Sequence, residues 1–166
     1  ANEEKTKKLI QAQKRHMHIG VPGHGIVIAV PIKSVGGGKT VAFLNGETDN
    51  AAYTPSLNYA HELIVAVCSQ GCTDMVMNAA RAAGARGGTV LHGKGTGANG
   101  APKFYNITIA QEKEMILIVA AASQKTAIMQ SILKKAGPDS KAGTIVFSLP
   151  TTQVAGFALL DNQDET

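Results

Sequence analysis

With 166 residues the chain has room for one domain or one and a half, and 44% hydrophobic against 17% charged residues gives it a core to bury. A net charge of +4 on dispersed carriers, with 4% aromatics and no Trp, argues against a base-stacking surface and leaves nucleic acid without a motif to bind it. The longest apolar run, "MILIVAAA" (115–122), falls far short of the ~20 residues that cross a bilayer, and the charged N-terminus has no apolar signal region, so no membrane insertion and a cytoplasmic location are expected.

The first stretch, "EEKTKKLIQAQKR", has helical character, and the basic run 5–18 reads as its solvated face. His16, His18 and His24 follow closely. A His-x-His pair plus a third histidine binds a metal if the loop folds back, although such histidines are more often solvated. Next comes the apolar run "GIVIAVPI" (25–32) and then "SVGGGKT" (34–40), which looks like the end of a phosphate-binding loop. That loop needs a glycine at position 33, where this chain has Lys33, and a helix directly afterwards, where it has "VAFLNGETDN". The phosphate-loop reading therefore fails. "KTVAFL" (39–44) is an expected edge strand, and 45–60 reads as a polar linker punctuated by Pro55.

From 61 onwards the pattern is regular. "HELIVAVCS" (61–69) is a buried strand, and 73–85 is a helix with Thr73 or Asp74 as N-cap and Gly84 as its stop. "RGGTVLHG" (86–93) is a second strand, followed by the glycine-rich connection 94–103. "FYNITI" (104–109) and "KEMILIVAA" (113–121) are strands, 123–137 is a helix capped by Ser123 and closed by Gly137, and "GTIVFSLP" (143–150) is the last strand. Cys68 and Cys72 flank "SQG" and lack the further ligands of a zinc site, so they read as reduced thiols, one at a strand end in the core and one near a turn. The order β-α-β, β-α-β is that of an α+β, ferredoxin-like split βαβ fold, an antiparallel sheet with two helices on one face. Its bare face needs a cover, which makes a symmetric homo-oligomer the expectation. The tail 158–166 is acidic.

An internal repeat changes the meaning of the opening segments. "IVIAVPIKSVGG" (26–37) aligns without a gap on "IVFSLPTTQVAG" (145–156), at an offset of 150 − 31 = 119 residues between Pro31 and Pro150. Each is preceded by a glycine-bearing loop and, before that, by a helical stretch. Residues 1–44 thus read as the trailing helix–strand part of a first domain, and 61–157 as a complete copy. A first domain without its front half has to bury its apolar strand elsewhere.

The segments "ELIVAV", "DMVMNAARAAGARGGTVLHGKGTG", "ITIAQEKEMILIVAAASQKTAIMQSI" and "GTIVFSLPTTQVAGF" together resemble the P-II nitrogen-regulatory superfamily. The resemblance is closest to a divergent branch with a short loop and tandem domains. It implies a trimer or pseudo-symmetric assembly and binding of an adenine nucleotide, ATP or ADP, in clefts between subunits. It further implies signalling to a regulated protein partner by a mobile loop after the second strand. Carried over residue by residue, it places Thr89, Gly95 and Gly97 at the nucleotide, with Lys141 and Gly143 supplied by the loop 137–143. Glycines suit such a role because a backbone without side chains lets N–H groups approach phosphate. The chain departs from the family where a lysine usually follows the last glycine (Thr144 here), where Asn99 replaces a glutamine, and where two basic residues after the last strand are missing from "QVAGFALL".

No nucleophile elbow, carboxylate pair or Cys/His arrangement suggests catalysis, so a non-enzymatic regulator is the reading, which the family resemblance ties to nitrogen metabolism. His92 flanks the expected cleft, and His61 stands before the first strand. The alternatives are a metal-responsive, CutA-like trimer using the three histidines, and a structural oligomer with a vestigial cleft.

Overall fold

The computed structural model describes residues 3–19, 21, 24–32, 58–95, 103–104, 107–108 and 111–156. In chain order the elements are α1 (Glu3–Met17), β1 (Val27–Ala29), β2 (Asn58–Ser69), α2 (Thr73–Arg81), β3 (Thr89–Gly95), β4 (Lys103–Phe104), β5 (Ile107–Thr108), β6 (Gln111–Ala121), α3 (Ala122–Ala136), β7 (Ile145–Thr151) and β8 (Gln153–Ala155). They form two compact units, Ala1–Tyr59 with Pro150–Thr166, and Ala60–Leu149.

The larger unit is the expected α+β, ferredoxin-like arrangement. Its four-stranded sheet has the order β3-β6-β2-β7, so β6 and β2 are central and β3 and β7 are edges. Both β2 and β3 pair antiparallel with β6. Residues two apart share a face, which picks out the residues of β2 and β6 that meet the helices, although Leu63, Val65 and Val119 on the other face are buried too. Ile64, Ala66 and Cys68, with Ile116, Ile118 and Ala120, point to the helix side and are buried. Against them pack Val76, Ala79 and Ala80 of α2 and Ile128, Ile132 and Ala136 of α3. The spacing 128, 132, 136 is one stripe of a helix, which is why α3 buries a single face. Ser131 Oγ donates to Ala79 O at 2.6 Å and ties the two helices together.

Local structure differs from the sequence expectations at three places. The helix expected over 73–85 stops at Arg81, because the chain turns through 82–84 into Gly84, whose φ of +101 no helix allows. Its N-cap is Cys72, not Thr73 or Asp74, and no local side chain caps it. The second helix starts at Ala122 with Ala121 as N-cap rather than Ser123, since β6 runs straight into it without a loop. The strand expected over 104–109 is instead two dipeptide strands, β4 and β5, paired with each other.

In the smaller unit β1 pairs antiparallel with β8, Val27 opposite Ala155 and Ala29 opposite Gln153. Ile10 of α1, Ile19 and Ala155 are buried together, with Val27 and Ala29 packed against them. The N-terminal strand β1 is therefore paired with β8, near the end of the described chain. Gly156 (φ +95) comes so close to the Gly25 carbonyl that a Cβ has no room. The expected edge strand 39–44, the linker up to residue 57 and the acidic tail lie outside the described residues. Among the described residues no helix is long and apolar enough to cross a membrane.

Cys68 and Cys72 are both buried, the first at the end of β2 and the second at the turn into α2. The Cys68 thiol is pushed up to about 11, first by burial, then by Glu114 and Cys72, against the opposing pull of Lys113. Only the thiolate attacks a disulfide reagent. Cys68 is thus expected to react with a chromogenic disulfide far more slowly in native than in denaturing buffer, and immediate native labelling would show the core to be open.

Candidate functional site

The cross-strand register creates a site at one end of the sheet, on the face that neither α2 nor α3 covers. Gly93 of β3 lies opposite Lys113 of β6, which lies opposite Ser69 of β2. Leu91 pairs with Met115, and Met115 with Val67, on the same face. Val67, Leu91, Gly93, Lys113 and Met115, with His92, Lys94 and Gly95, line an open cleft of about 290 Å³. An apolar floor with a few polar groups at one end is the usual make-up of a small-molecule site.

The polar groups are cationic. Lys113 is half-buried, and its Nζ donates to Ser69 Oγ at 3.2 Å. Among the described residues no carboxylate pairs with it. Lys94, more exposed, has its Nζ 3.7 Å from Glu112. Gly93 and Gly95 leave the backbone bare beside Lys113. A Cβ on Gly95 would meet Lys113 Cγ at 3.0 Å and Cε at 3.3 Å, so this glycine is what gives the lysine its place. An ammonium without a carboxylate partner, beside exposed backbone, suits an anion.

One carboxylate near this end is already committed. Glu114, opposite His92 on the helix side, is buried and accepts hydrogen bonds from Gly71 N (3.0 Å), Thr73 N (3.1 Å) and Thr73 Oγ1 (2.6 Å). It supplies the cap that α2 lacks locally. The Thr73 hydroxyl first, then the Gly71 N–H, hold its carboxyl below the usual value of 4.5 against the effect of burial, with the Thr73 N–H and His92 adding to them.

Of the residues expected at a ligand, Gly95 borders the cleft. Thr89 starts the same strand six residues earlier, roughly 20 Å away at ~3.3 Å per residue. Gly97 and Asn99 lie outside the described residues. Lys141 and Gly143 belong to the loop before β7, which is at the same end of the sheet because Ser69 N donates to Ala142 O at 2.9 Å. That places them at the opposite edge from β3, and within this unit the two groups do not meet. Ser140 organises the loop: its hydroxyl accepts from Ala142 N at 3.2 Å and its carbonyl from Gly143 N at 3.1 Å. The Ala142 and Gly143 N–H groups are thus occupied, while the Lys141 side chain is exposed. Thr144 is fully buried, with Oγ1 lacking a hydrogen-bond partner, and cannot replace a surface lysine.

Sequence reasoning missed Lys113. It sits at the head of an apolar strand, and only the register with Gly93 reveals its neighbours. The signal present in the sequence was a lone lysine in phase with Met115 and Leu117 on the face away from the core.

Residues 61–157 match the family model described as nitrogen regulatory protein P-II. No curated protein matches the chain. Among solved structures, the Arabidopsis thaliana PII protein bound to citrate is similar at 20% identity and a TM-score of 0.42, covering 56% of this chain and 76% of that one.

Proposed function

We propose a function on one premise: the chain belongs to the nitrogen regulatory protein P-II family. It is a regulator that holds a small anionic ligand, an adenine nucleotide (ATP or ADP), in the cleft at Lys113, and it performs no reaction of its own. Lys113 takes the phosphates, Gly93 and Gly95 bring backbone to them, and the apolar floor of Val67, Leu91 and Met115 accepts the base. In a homo-oligomer, a trimer or a pseudo-symmetric assembly, the loop 137–143 of a neighbouring copy adds Lys141 and closes the cleft. Binding changes the connection 94–103, and a protein partner, in keeping with the family in nitrogen metabolism, reads the change. The observation that carries this is the half-buried Lys113 ammonium, paired with a hydroxyl alone.

Thermal unfolding with ATP, ADP and AMP, with and without magnesium, tests it. A ligand held only by the native state adds ~2.7 kcal/mol at a hundredfold excess over Kd. ATP or ADP is expected to raise the melting temperature. Lys113→Ala should weaken binding by about 10- to 100-fold, the value of one charge-assisted hydrogen bond. Gly95→Val should do the same by displacing the lysine stem. A wild-type protein that no nucleotide stabilises would leave the cleft vestigial and end the proposal.

A further inference from the structure

The two repeats differ at positions that give the N-terminal one a chemistry of its own. At the common offset His18 falls on Gly137 and His24 on Gly143 (137 − 18 = 143 − 24 = 119). Where the second copy dispenses with side chains, the first carries two imidazoles. His18 directly follows α1 and has φ of +51, the left-handed region that glycine usually fills at a helix end. A non-glycine residue is held there at a cost in backbone energy.

Backbone hydrogen bonds to Val21 hold both histidines. Val21 N donates to His18 O at 3.2 Å and His24 N donates to Val21 O at 3.0 Å. The ring centroids are 6.3 Å apart, edge to face. His24 Nδ1 lies 3.4 Å from Met17 O. A carbonyl can only accept, so Nδ1 is the nitrogen that donates here, and Nε2 is the one turned free of the backbone for a ligand. Metal-binding imidazoles are oriented by this same contact to a backbone carbonyl.

We propose that His18 and His24 form a two-imidazole chelate for a first-row divalent cation of borderline softness, Cu2+ or Zn2+, with water completing the coordination. Bonds of ~2.0 Å to one tetrahedral ion put two ring centroids about 5 Å apart. Both side chains are exposed, so a small rotation closes the remaining gap without disturbing packing. His16 is not a third ligand, because two residues along a helix point it away from His18. Among the described residues no group of three or more His, Cys, Asp or Glu gathers, so the three-histidine alternative weighed from the sequence reduces to this pair.

Calorimetric titration of the full chain with Cu2+, Zn2+ and Mg2+ tests the site. One Cu2+ per chain is expected, tighter than Zn2+, as imidazole ligands dictate, with no response to Mg2+. His18→Ala and His24→Ala should each weaken binding by ~10-fold or more, the effect of losing a ligand or its support, and His16→Ala should leave it unchanged. His18→Gly restores the residue of the second copy: it should melt higher without metal and lose the Cu2+ response. Wild-type affinity in His18→Gly and His24→Ala, or an equal loss in His16→Ala, would overturn the assignment.

Discussion

Replacing Glu114 by glutamine is expected to lower the unfolding free energy at neutral pH by about 2 kcal/mol, the cost of leaving buried donors without an ionised acceptor. The carboxylate receives three hydrogen bonds, from Gly71 N, Thr73 N and Thr73 Oγ1. All three come from the turn and first residue of α2, where the positive end of the helix also favours a negative charge. Glutamine has the same shape but exchanges one acceptor for a donor, so at least one N–H or the hydroxyl would face a donor. His92 Nε2, 3.9 Å from Oε1, adds a weaker attraction from an exposed ring. The pH dependence follows from the lowered folded value. Stability from such a group is fully present above the unfolded value, near 4.5, and is lost as pH falls through the folded one. Urea midpoints of wild type and Glu114→Gln should therefore lie well apart at neutral pH and converge in acid. A gap that stays constant into acid would mean that the charge is not what holds α2.

That cap also shows what was legible in the sequence. The long elements β2, β6 and α3 could be read because their periods of two and of three to four persist over many residues. The end of α2 could not, since its capping carboxylate lies 41 residues further along the chain. Any local rule would choose Thr73 or Asp74, and tertiary structure supplied Glu114 instead. "FYNITI" looked like a strand by composition, yet composition does not reveal that a dipeptide on each side folds back on the other. The site was half legible. The glycines near 95 stand out in any reading, whereas the place of Lys113 beside them depends on a register between strands that no single segment encodes. The similarity of 26–37 to 145–156 was visible as an alignment, but not the pairing of β1 with β8.

The most distinctive motif, "GARGGT" (84–89), leads to the second large effect, because its two adjacent glycines have opposite surroundings. A Cβ on Gly88 would meet Ile116 Cγ2 and Met77 Sδ at 3.1 Å and Ile118 Cγ1 at 3.2 Å. A Cβ on Gly87 meets nothing within 4 Å. Gly88 thus sets how closely the start of β3 approaches the helix-side core of β6 and α2. Met77 can yield, but Ile116 and Ile118 are fully buried and have nowhere to go. Gly88→Val is expected to cost about 2–3 kcal/mol, in the range of core overpacking. Gly87→Val makes the same chemical change one residue away and should stay within ~0.5 kcal/mol, as surface substitutions do. A gain is possible there, since valine narrows the unfolded ensemble more than glycine does. Urea denaturation of the two variants, compared at unchanged slope, separates steric from intrinsic effects, because backbone preference alone would shift both alike. Equal losses at 87 and 88 would contradict the close approach of β3 to the core, and with it the placement of Gly93 and Gly95 beside Lys113.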